Sequence, residues 1–293
     1  MIKIDQILNT AGQFMTRCVV FVFLILPFSA ESAETVIFGI TGVALKEDVT
    51  AMKQWGKFIA QQSGLNVELK FARSYDEIKS MVETGSVDIA YVCGATYVDF
   101  HANDSAKILV VPLFHGVAQY HSLIIARKNS SIRSIYDLKG KVFAFSDPKS
   151  NSGMIAPSYE FIKMGICPKK YFKRRIFTYD HGESIVAVLE GFADAAAVDE
   201  MVFESFNRRH PDKAKEFKVI VRFGPYPIPP LVYRTGLNPK SLIQVQNALV
   251  QMNQNKEGRE LLKILSVDRF VISSSPDYSK IEKMIRFIRK SDQ

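Results

Sequence analysis

From residue 36 onward, short apolar segments alternate with longer segments in which apolar residues recur every three or four positions. Short apolar runs bounded by turn residues predict β-strands, and the longer periodic segments predict amphipathic helices. In the helix predicted at 46–62, for example, Val49, Met52, Trp55 and Ile59 share one face. This alternation is typical of an α/β fold. Strands are predicted at 36–40, 67–71, 87–92, 108–113, 122–126, 142–145, 194–198, 219–223 and 231–233, and helices at 46–62, 75–84, 239–253, 257–265 and 278–289.

An internal similarity favours two lobes over one continuous sheet. A helix that ends at Gly85 leads into Ser-Val-Asp-Ile-Ala, and a later helix that ends at Gly191 leads into Phe-Ala-Asp-Ala-Ala. Such a single similarity is weak support for duplication, because α/β units resemble one another. We predict lobe 1 at 34–122, lobe 2 at 123–222, and a return to lobe 1 with C-terminal helices at 223–293.

The predicted return to lobe 1 is rich in proline. Pro225, Pro227, Pro229 and Pro230 fall within six residues. Because proline has no N–H to donate, this segment is neither a helix nor a central strand. Two interpretations fit: a stiff extended connection at a hinge, or a rigid surface loop.

The N-terminal residues differ from the rest of the chain. Residues 18–28 read CVVFVFLILPF, an uncharged run too short to span a bilayer, which takes roughly 20 residues. A short apolar core followed by small residues is typical of a secretory signal, so we predict a signal peptide at 1–33, cleaved after Ser32 or Ala33. A buried N-terminal helix and an uncleaved anchor are the alternatives. Cys18 precedes the apolar run, which is a poor position for lipid attachment.

Composition and charge narrow the class of protein. The chain has 293 residues, 47% of them hydrophobic, as expected for a globular protein of one or two domains. Its net charge of +8 is spread along the sequence. Diffuse positive charge favours recruitment of an anion, whereas nucleic acid requires a basic patch, so no nucleic-acid partner is expected. Cys93 and Cys167 remain after export; a disulfide between them stays open, although we expect them in different lobes.

The most informative motif is the sequence Ser150, Asn151, Ser152 and Gly153, called here the SNSG turn. It follows a predicted strand and precedes an apolar helical segment. Hydroxyl and amide side chains at a helix start cap its free N–H groups, and the same N–H groups bind oxyanions. Gly153 allows a ligand to approach the backbone. A simple helix cap is the alternative, and Pro157 limits the regular helix to a start within a few residues of it.

Other candidate ligand contacts lie on predicted loops and strand ends. His181 precedes a helix, where it can donate hydrogen bonds to an anion, and bound negative charge would favour its protonated form. Tyr75 begins a helix, while Tyr97 and Tyr120 lie near strand ends. Asp199 ends a predicted strand, where open α/β sheets bind ligands. Each of these residues alone is equally compatible with a core, surface or loop position.

The sequence offers little for catalysis or metal binding. GxSxG, HExxH and P-loop motifs are absent, and His101, His115, His121 and His210 show no metal-ligand spacing. Cys93 and His181 are a conceivable nucleophilic pair, but nothing near Cys93 suggests activation. We therefore expect a binding protein without catalytic residues, metal or cofactor.

Over residues 36–233 the chain resembles the phosphate-, phosphite- and phosphonate-binding proteins of ABC importers. The most specific match is SNSGMIAP at 150–157, similar to the family pattern S-T-S-G-Y-x-x-P, with Asn151 where the family usually has Thr. Further matches in the same order are VDIAYVCGATYV at 87–98, YHSLIIARKNSSI from Tyr120, DLKGKVFAF at 137–145 and HGESIVAVLEGFADAAAVD at 181–199.

The resemblance implies a type II periplasmic binding-protein fold, with two Rossmann-like lobes, a mixed sheet in each, and a two-segment hinge. It implies that the SNSG turn, Tyr97 and His181 hold the ligand oxygens and that Tyr75 and Tyr120 line the cleft. Asp199 matches a position that contacts a ligand's amino group in some members. The implied partners of this monomer are a small phosphonate, phosphite or phosphate-like anion and an ABC importer permease. The alternatives are a sulfonate or other small ligand on the same scaffold, or a periplasmic sensor for a membrane receptor.

Overall fold

The computed structural model describes residues 34–41, 49–273 and 276–291. The predicted signal peptide lies outside the described residues, as do the first three residues of the first predicted helix.

The described residues form two sheets. Their strands are β1 (Thr35–Ile40), β2 (Asn66–Phe71), β3 (Ile89–Tyr91), β4 (Ala106–Leu113), β5 (Gln119–Arg127), β6 (Val142–Phe145), β7 (Arg174–Phe177), β8 (Ala195–Asp199), β9 (Phe217–Pro227), β10 (Leu231–Arg234) and β11 (Arg269–Val271). The first sheet has the order β11-β4-β10-β3-β1-β2, and the second has the order β7-β6-β8-β5-β9.

Both sheets are mixed. In the first, β1 runs parallel to β2 and β3, while β10 and β11 run antiparallel to their neighbours. In the second, β6 runs parallel to β7 and β8, while β5 runs antiparallel to β8 and β9. The central strands β3 and β8 are buried along their whole length, which explains why their sequences are apolar without alternation. The predicted α/β fold with a mixed sheet in each half is confirmed.

Helices connect and cover the strands. They are α1 (Val49–Ser63), α2 (Tyr75–Glu83), α3 (Gly94–Asn103), α4 (Ala156–Lys163), α5 (Pro168–Tyr171), α6 (His181–Leu189), α7 (Glu200–Arg209), α8 (Pro211–Ala214), α9 (Pro239–Val250), α10 (Lys256–Ile264) and α11 (Ser279–Ser291). α11 packs against both α3 and α4, so it contacts a helix that follows a strand of each sheet.

The chain passes twice between the sheets. It leaves the first sheet after β4 and returns to it after β9. A hydrogen bond joins the two connections, because the Ile228 N–H donates to the Ala118 carbonyl at 3.2 Å. Tyr278, just before α11, donates its hydroxyl proton to the Ile228 carbonyl at 2.7 Å. β5 pairs within the second sheet from Gln119 onward. The lobe boundaries stay a prediction.

The proline-rich return segment is extended. Pro225 and Pro227 belong to β9, which is an edge strand of the second sheet, and Pro229 and Pro230 follow it. An edge strand tolerates proline because one side of its backbone has no ladder to complete.

Candidate functional site

The SNSG turn lies where β6 passes into α4. The Ser150 N–H donates to the Asp147 carbonyl at 2.9 Å, and a π-helical turn, Asn151–Ile155, then leads into α4. Pro157 falls in the first turn of α4, as expected from the sequence. The helix start predicted at this motif is therefore confirmed, and its side chains lie at the carboxyl end of a parallel strand.

His181 supports the SNSG turn as a neutral imidazole. Its Nδ1 accepts the Asp199 backbone N–H at 3.1 Å, so its proton belongs on Nε2, which lies 3.3 Å from Ser150 Oγ. Burial lowers the pKa of His181 to about 3. The sequence had suggested a protonated ring beside an anion, but burial and the use of Nδ1 as an acceptor both favour the neutral form.

The Ser150 hydroxyl is left with one proton to donate. Its oxygen accepts the Gly153 N–H at 3.0 Å and faces the Nε2–H of His181. Since a hydroxyl has two acceptor positions, these two donors occupy both. Ser150 is fully buried, so its remaining proton is directed at a partner inside the protein or at a ligand.

Asp199 links the SNSG turn to the start of α7. One carboxyl oxygen, Oδ1, accepts the Met201 and Val202 N–H groups and caps α7, while Oδ2 accepts the Ser152 hydroxyl at 3.3 Å. Burial, helped by the charge of Glu200, raises the pKa of Asp199 to about 7 against these hydrogen bonds. This carboxyl group is therefore partly protonated at neutral pH.

Three buried polar atoms in and beside the site have no hydrogen-bond partner among the described residues: Asn151 Oδ1, Ser146 Oγ and the Tyr75 hydroxyl. Asn151 Nδ2 donates to the Tyr120 hydroxyl at 3.0 Å, and rotating the amide would instead leave its N–H₂ group unpartnered. Burial raises the pKa of Tyr75 and of Tyr120, so both remain protonated phenols. An unsatisfied buried polar group costs about 1–3 kcal/mol, so these atoms indicate where a polar ligand would bind.

The first sheet contributes Tyr75, Tyr91 and Cys93 to this region. Tyr91 ends β3, and Cys93 caps α3, with its Sγ 3.5 Å from the Thr96 N–H. Burial raises the pKa of Tyr91, and the charge of Asp199 across the interface raises it further. Sequence reasoning missed Tyr91 as a site residue, although its place at the end of a predicted strand could have pointed to it.

Tyr97 lies apart from this cluster. The centroid of its ring lies 4.7 Å from that of Tyr278 and 5.9 Å from that of His101. Tyr97 also lines a surface pocket with Val98 and Asp277. From its position in α3 the ring meets Tyr278, just before α11. The other predicted site residues, namely Tyr75, Tyr120, Ser150, Asn151, Ser152, Gly153, His181 and Asp199, form one buried network.

Gly153 is packed too closely to carry a side chain. A Cβ at this position would overlap Ser146 Oγ and lie 2.8 Å from Ser146 Cβ and 3.0 Å from His181 Cε1. Rotation of Ser146 relieves only the first of these contacts. We expect Gly153→Ala to lower the free energy of unfolding by about 1–3 kcal/mol, measured by urea denaturation. Adding Ser146→Gly removes the opposing Oγ and Cβ and should restore part of the loss; no recovery would contradict this geometry.

The described residues contain no group of three or more His, Cys, Asp or Glu side chains arranged to hold a metal ion. Nor does any helix in the described part of the chain combine the length and the apolar character that a membrane span requires. Cys93 and Cys167 are both unpaired, the first buried and the second exposed.

The chain has two mixed β-sheets covered by helices and joined by two connections, and a buried cluster rich in hydroxyl groups lies where strands of both sheets end. These features define the class of type II periplasmic binding proteins. The model of the ABC transporter, phosphonate, periplasmic substrate-binding protein family matches residues 38–278. The chain belongs to this family.

Similar proteins agree with this assignment. The chain is 24% identical over 273 residues to the phosphonates-binding periplasmic protein of Escherichia coli strain K12, covering 90% of this chain and 80% of that protein. Its fold is similar to the binding-protein component of an ABC phosphonate transporter from Pseudomonas aeruginosa, with a TM-score of 0.82, 26% identity, and coverage of 89% and 88%. It is also similar to PhnD1 of Prochlorococcus marinus in complex with methylphosphonate, with a TM-score of 0.79, 19% identity, and coverage of 88% and 99%.

Proposed function

We propose that this protein captures a small phosphonate, phosphite or phosphate-like oxyanion between its two sheets and delivers it to the permease of an ABC importer. The SNSG turn and His181 hold the oxyanion, and Tyr75 and Tyr120 close over it. Tyr97 is left out of this proposal, because its ring packs against Tyr278. The protein acts in the periplasm, after export directed by residues 1–33, and leaves its ligand chemically unchanged.

One observation carries this proposal: buried neutral donors converge on a helix start. Ser150 has one proton left to donate, and the Tyr75 hydroxyl has no partner. Asn151 presents an unpartnered N–H₂ group once its amide is rotated so that Oδ1 accepts from Tyr120. Since His181 is neutral, the favourable potential comes from hydrogen-bond donors and from the amino-terminal ends of α4 and α6. Tetrahedral oxyanions accept several such hydrogen bonds at once.

The phosphonate hypothesis predicts which ligands stabilise the protein. A ligand at 100 times its Kd adds about 2.7 kcal/mol to the free energy of unfolding, which is roughly 5–10 °C in Tm for a chain of this size. We expect shifts of this order with methylphosphonate, phosphite or phosphate in a thermal-shift series. Methanesulfonate is the matched control, because it has the same shape but carries no titratable proton near neutral pH. A shift with methanesulfonate alone would contradict the phosphonate assignment and favour a sulfonate-binding protein.

A further inference from the structure

The turn that precedes the SNSG turn joins the second sheet to the first. Asp147 is 4% exposed, and its Oδ2 accepts the backbone N–H of Tyr75, the first residue of α2, at 3.1 Å. Its Oδ1 accepts the Lys149 N–H at 2.8 Å, which fixes the turn. A carboxylate of one sheet thus interacts with the amino-terminal end of a helix that belongs to the other.

Lys149 makes the second set of contacts between the two sheets. Its Nζ lies 2.8 Å from Asp76 Oδ1 in α2 and 3.4 Å from Asp99 Oδ2 in α3. The Cys93 thiol, at the start of α3, donates to the Lys149 carbonyl at 3.4 Å. Although burial lowers the pKa of Lys149, the hydrogen bonds and charges of the two aspartates outweigh it and raise that pKa. The ammonium group is therefore engaged with carboxylates rather than available to an anion.

We propose that Asp147 and Lys149 form an interlobe latch, which consists of their contacts with Tyr75, Asp76, Asp99 and Cys93. The latch stabilises the closed form, although neither Asp147 nor Lys149 touches the ligand. Each contact joins residues that follow strands of different sheets, so separation of the sheets would break all of them together. The latch and the ligand-binding turn share one loop, since Ser150 N–H donates to the Asp147 carbonyl at 2.9 Å. A ligand that orders the SNSG turn therefore also positions the latch, which makes closure dependent on binding.

Two variants distinguish the latch from simple electrostatic attraction of the anionic ligand by Lys149, because the latch partners Lys149 and Asp76 carry opposite charges. Loss of Lys149 (Lys149→Met) should raise the Kd for methylphosphonate about three- to tenfold, as expected for partly exposed ion pairs. Loss of the acidic partners (Asp76→Asn with Asp99→Asn) should also raise the Kd, by a similar factor. Attraction of an anion would instead make the second variant bind more tightly. Isothermal titration calorimetry measures both values.

Matched controls remove the same charge without an interlobe contact. Lys163 pairs with Glu160 on α4 alone, at 3.2 Å, so Lys163→Met should leave the Kd unchanged. Lys149→Arg keeps the charge and should retain most of the affinity. An unchanged Kd in both latch variants, or opposite changes in the two, would overturn the proposal.

The latch rests on the proposed function for its ligand, but a second readout is independent of it. Cys93 is 3% exposed, and burial raises the pKa of its thiol, so alkylation by iodoacetamide requires separation of the sheets. Peptide mass spectrometry can follow Cys93, with the exposed Cys167 as an internal reference. If the wild-type protein binds none of the phosphorus oxyanions, the proposed function fails. In that case faster Cys93 labelling in the ligand-free latch variants still supports the latch, and labelling at the wild-type rate overturns it.

Discussion

Replacing Ser150 and Ser152 together by alanine is expected to weaken methylphosphonate binding by about 10²- to 10⁴-fold. Ser150 has a proton to donate to the anion, and Ser152, which donates to Asp199 Oδ2, becomes a donor to the anion when Asp199 is protonated and donates to Ser152 Oγ instead. A charge-assisted hydrogen bond contributes about 1.5–3 kcal/mol. The effect on Ser150 is direct, because its two acceptor positions are occupied and its proton remains available. Calorimetry of the double variant measures the loss.

A third buried serine provides the control for this experiment. Ser158 lies on α4, is 2% exposed, and directs its hydroxyl at Met154 Sδ, at 3.5 Å. Ser158→Ala removes the same group from the same segment, and we expect it to leave the affinity within about twofold of wild type, as expected for loss of one weak hydrogen bond. Wild-type affinity in the double variant, with Ser158→Ala also unchanged, would place the ligand elsewhere.

The strands and the long helices follow closely from the hydrophobic pattern. The strand predicted at 142–145 coincides with β6, and the helix predicted at 75–84 differs from α2 by one residue at its end. These elements have either an uninterrupted apolar core or a clear stripe, and both end at turn-forming residues. The hydrophobic pattern is sufficient to predict a helix or strand whose burial depends on one apolar face or on one apolar run.

Other elements lack such a pattern and were not predicted. α3 begins with glycine and contains Thr96 and Tyr97, which favour strands over helices, yet it forms because Cys93 caps it and Phe100 packs into the core. β11 has three residues, and its pairing with β4 supplies the hydrogen bonds that its own sequence does not predict. In such segments tertiary contacts outweigh local propensity.

The candidate site also has a part that the sequence predicted and a part that it did not. The SNSG turn was identifiable because capping residues at a helix start form a local motif. The partners of its members were not, since His181 reaches Ser150 across 31 positions and Asp147 reaches Tyr75 across 72. The neutral state of His181 also depends on burial and on the orientation of Asp199, which no pattern along the chain describes.

The raised pKa of Asp199 predicts that the contribution of this carboxyl group to the stability of the ligand-free protein falls as the pH rises from about 4 to about 7. This change is opposite in sign to the gain with rising pH that the lowered pKa of His181 gives at acidic pH. In the folded protein this carboxyl group holds its proton up to a pKa of about 7, whereas in the unfolded chain it releases the proton near 3.8. At Asp199 the folded state therefore binds more protons in this interval, and the contribution of this group to stability falls with increasing pH. Since each pKa unit corresponds to about 1.4 kcal/mol, the contribution of Asp199 falls by roughly 4 kcal/mol across it.

Asp199→Asn isolates this contribution from the other carboxyl groups. Asparagine caps a helix as well as aspartate does, so the cap on α7 is kept, and its N–H₂ group can donate to Ser152 Oγ in place of the present hydrogen bond. Urea denaturation of both proteins at pH 4, 5.5, 7 and 8.5 gives the difference in unfolding free energy at each pH. We expect the wild type to lose stability relative to the variant between pH 4 and 7, and the difference to level off above pH 8. A difference that does not change with pH would mean that Asp199 is ionised throughout, and hence that this carboxylate is solvated or paired, not buried beside the SNSG turn.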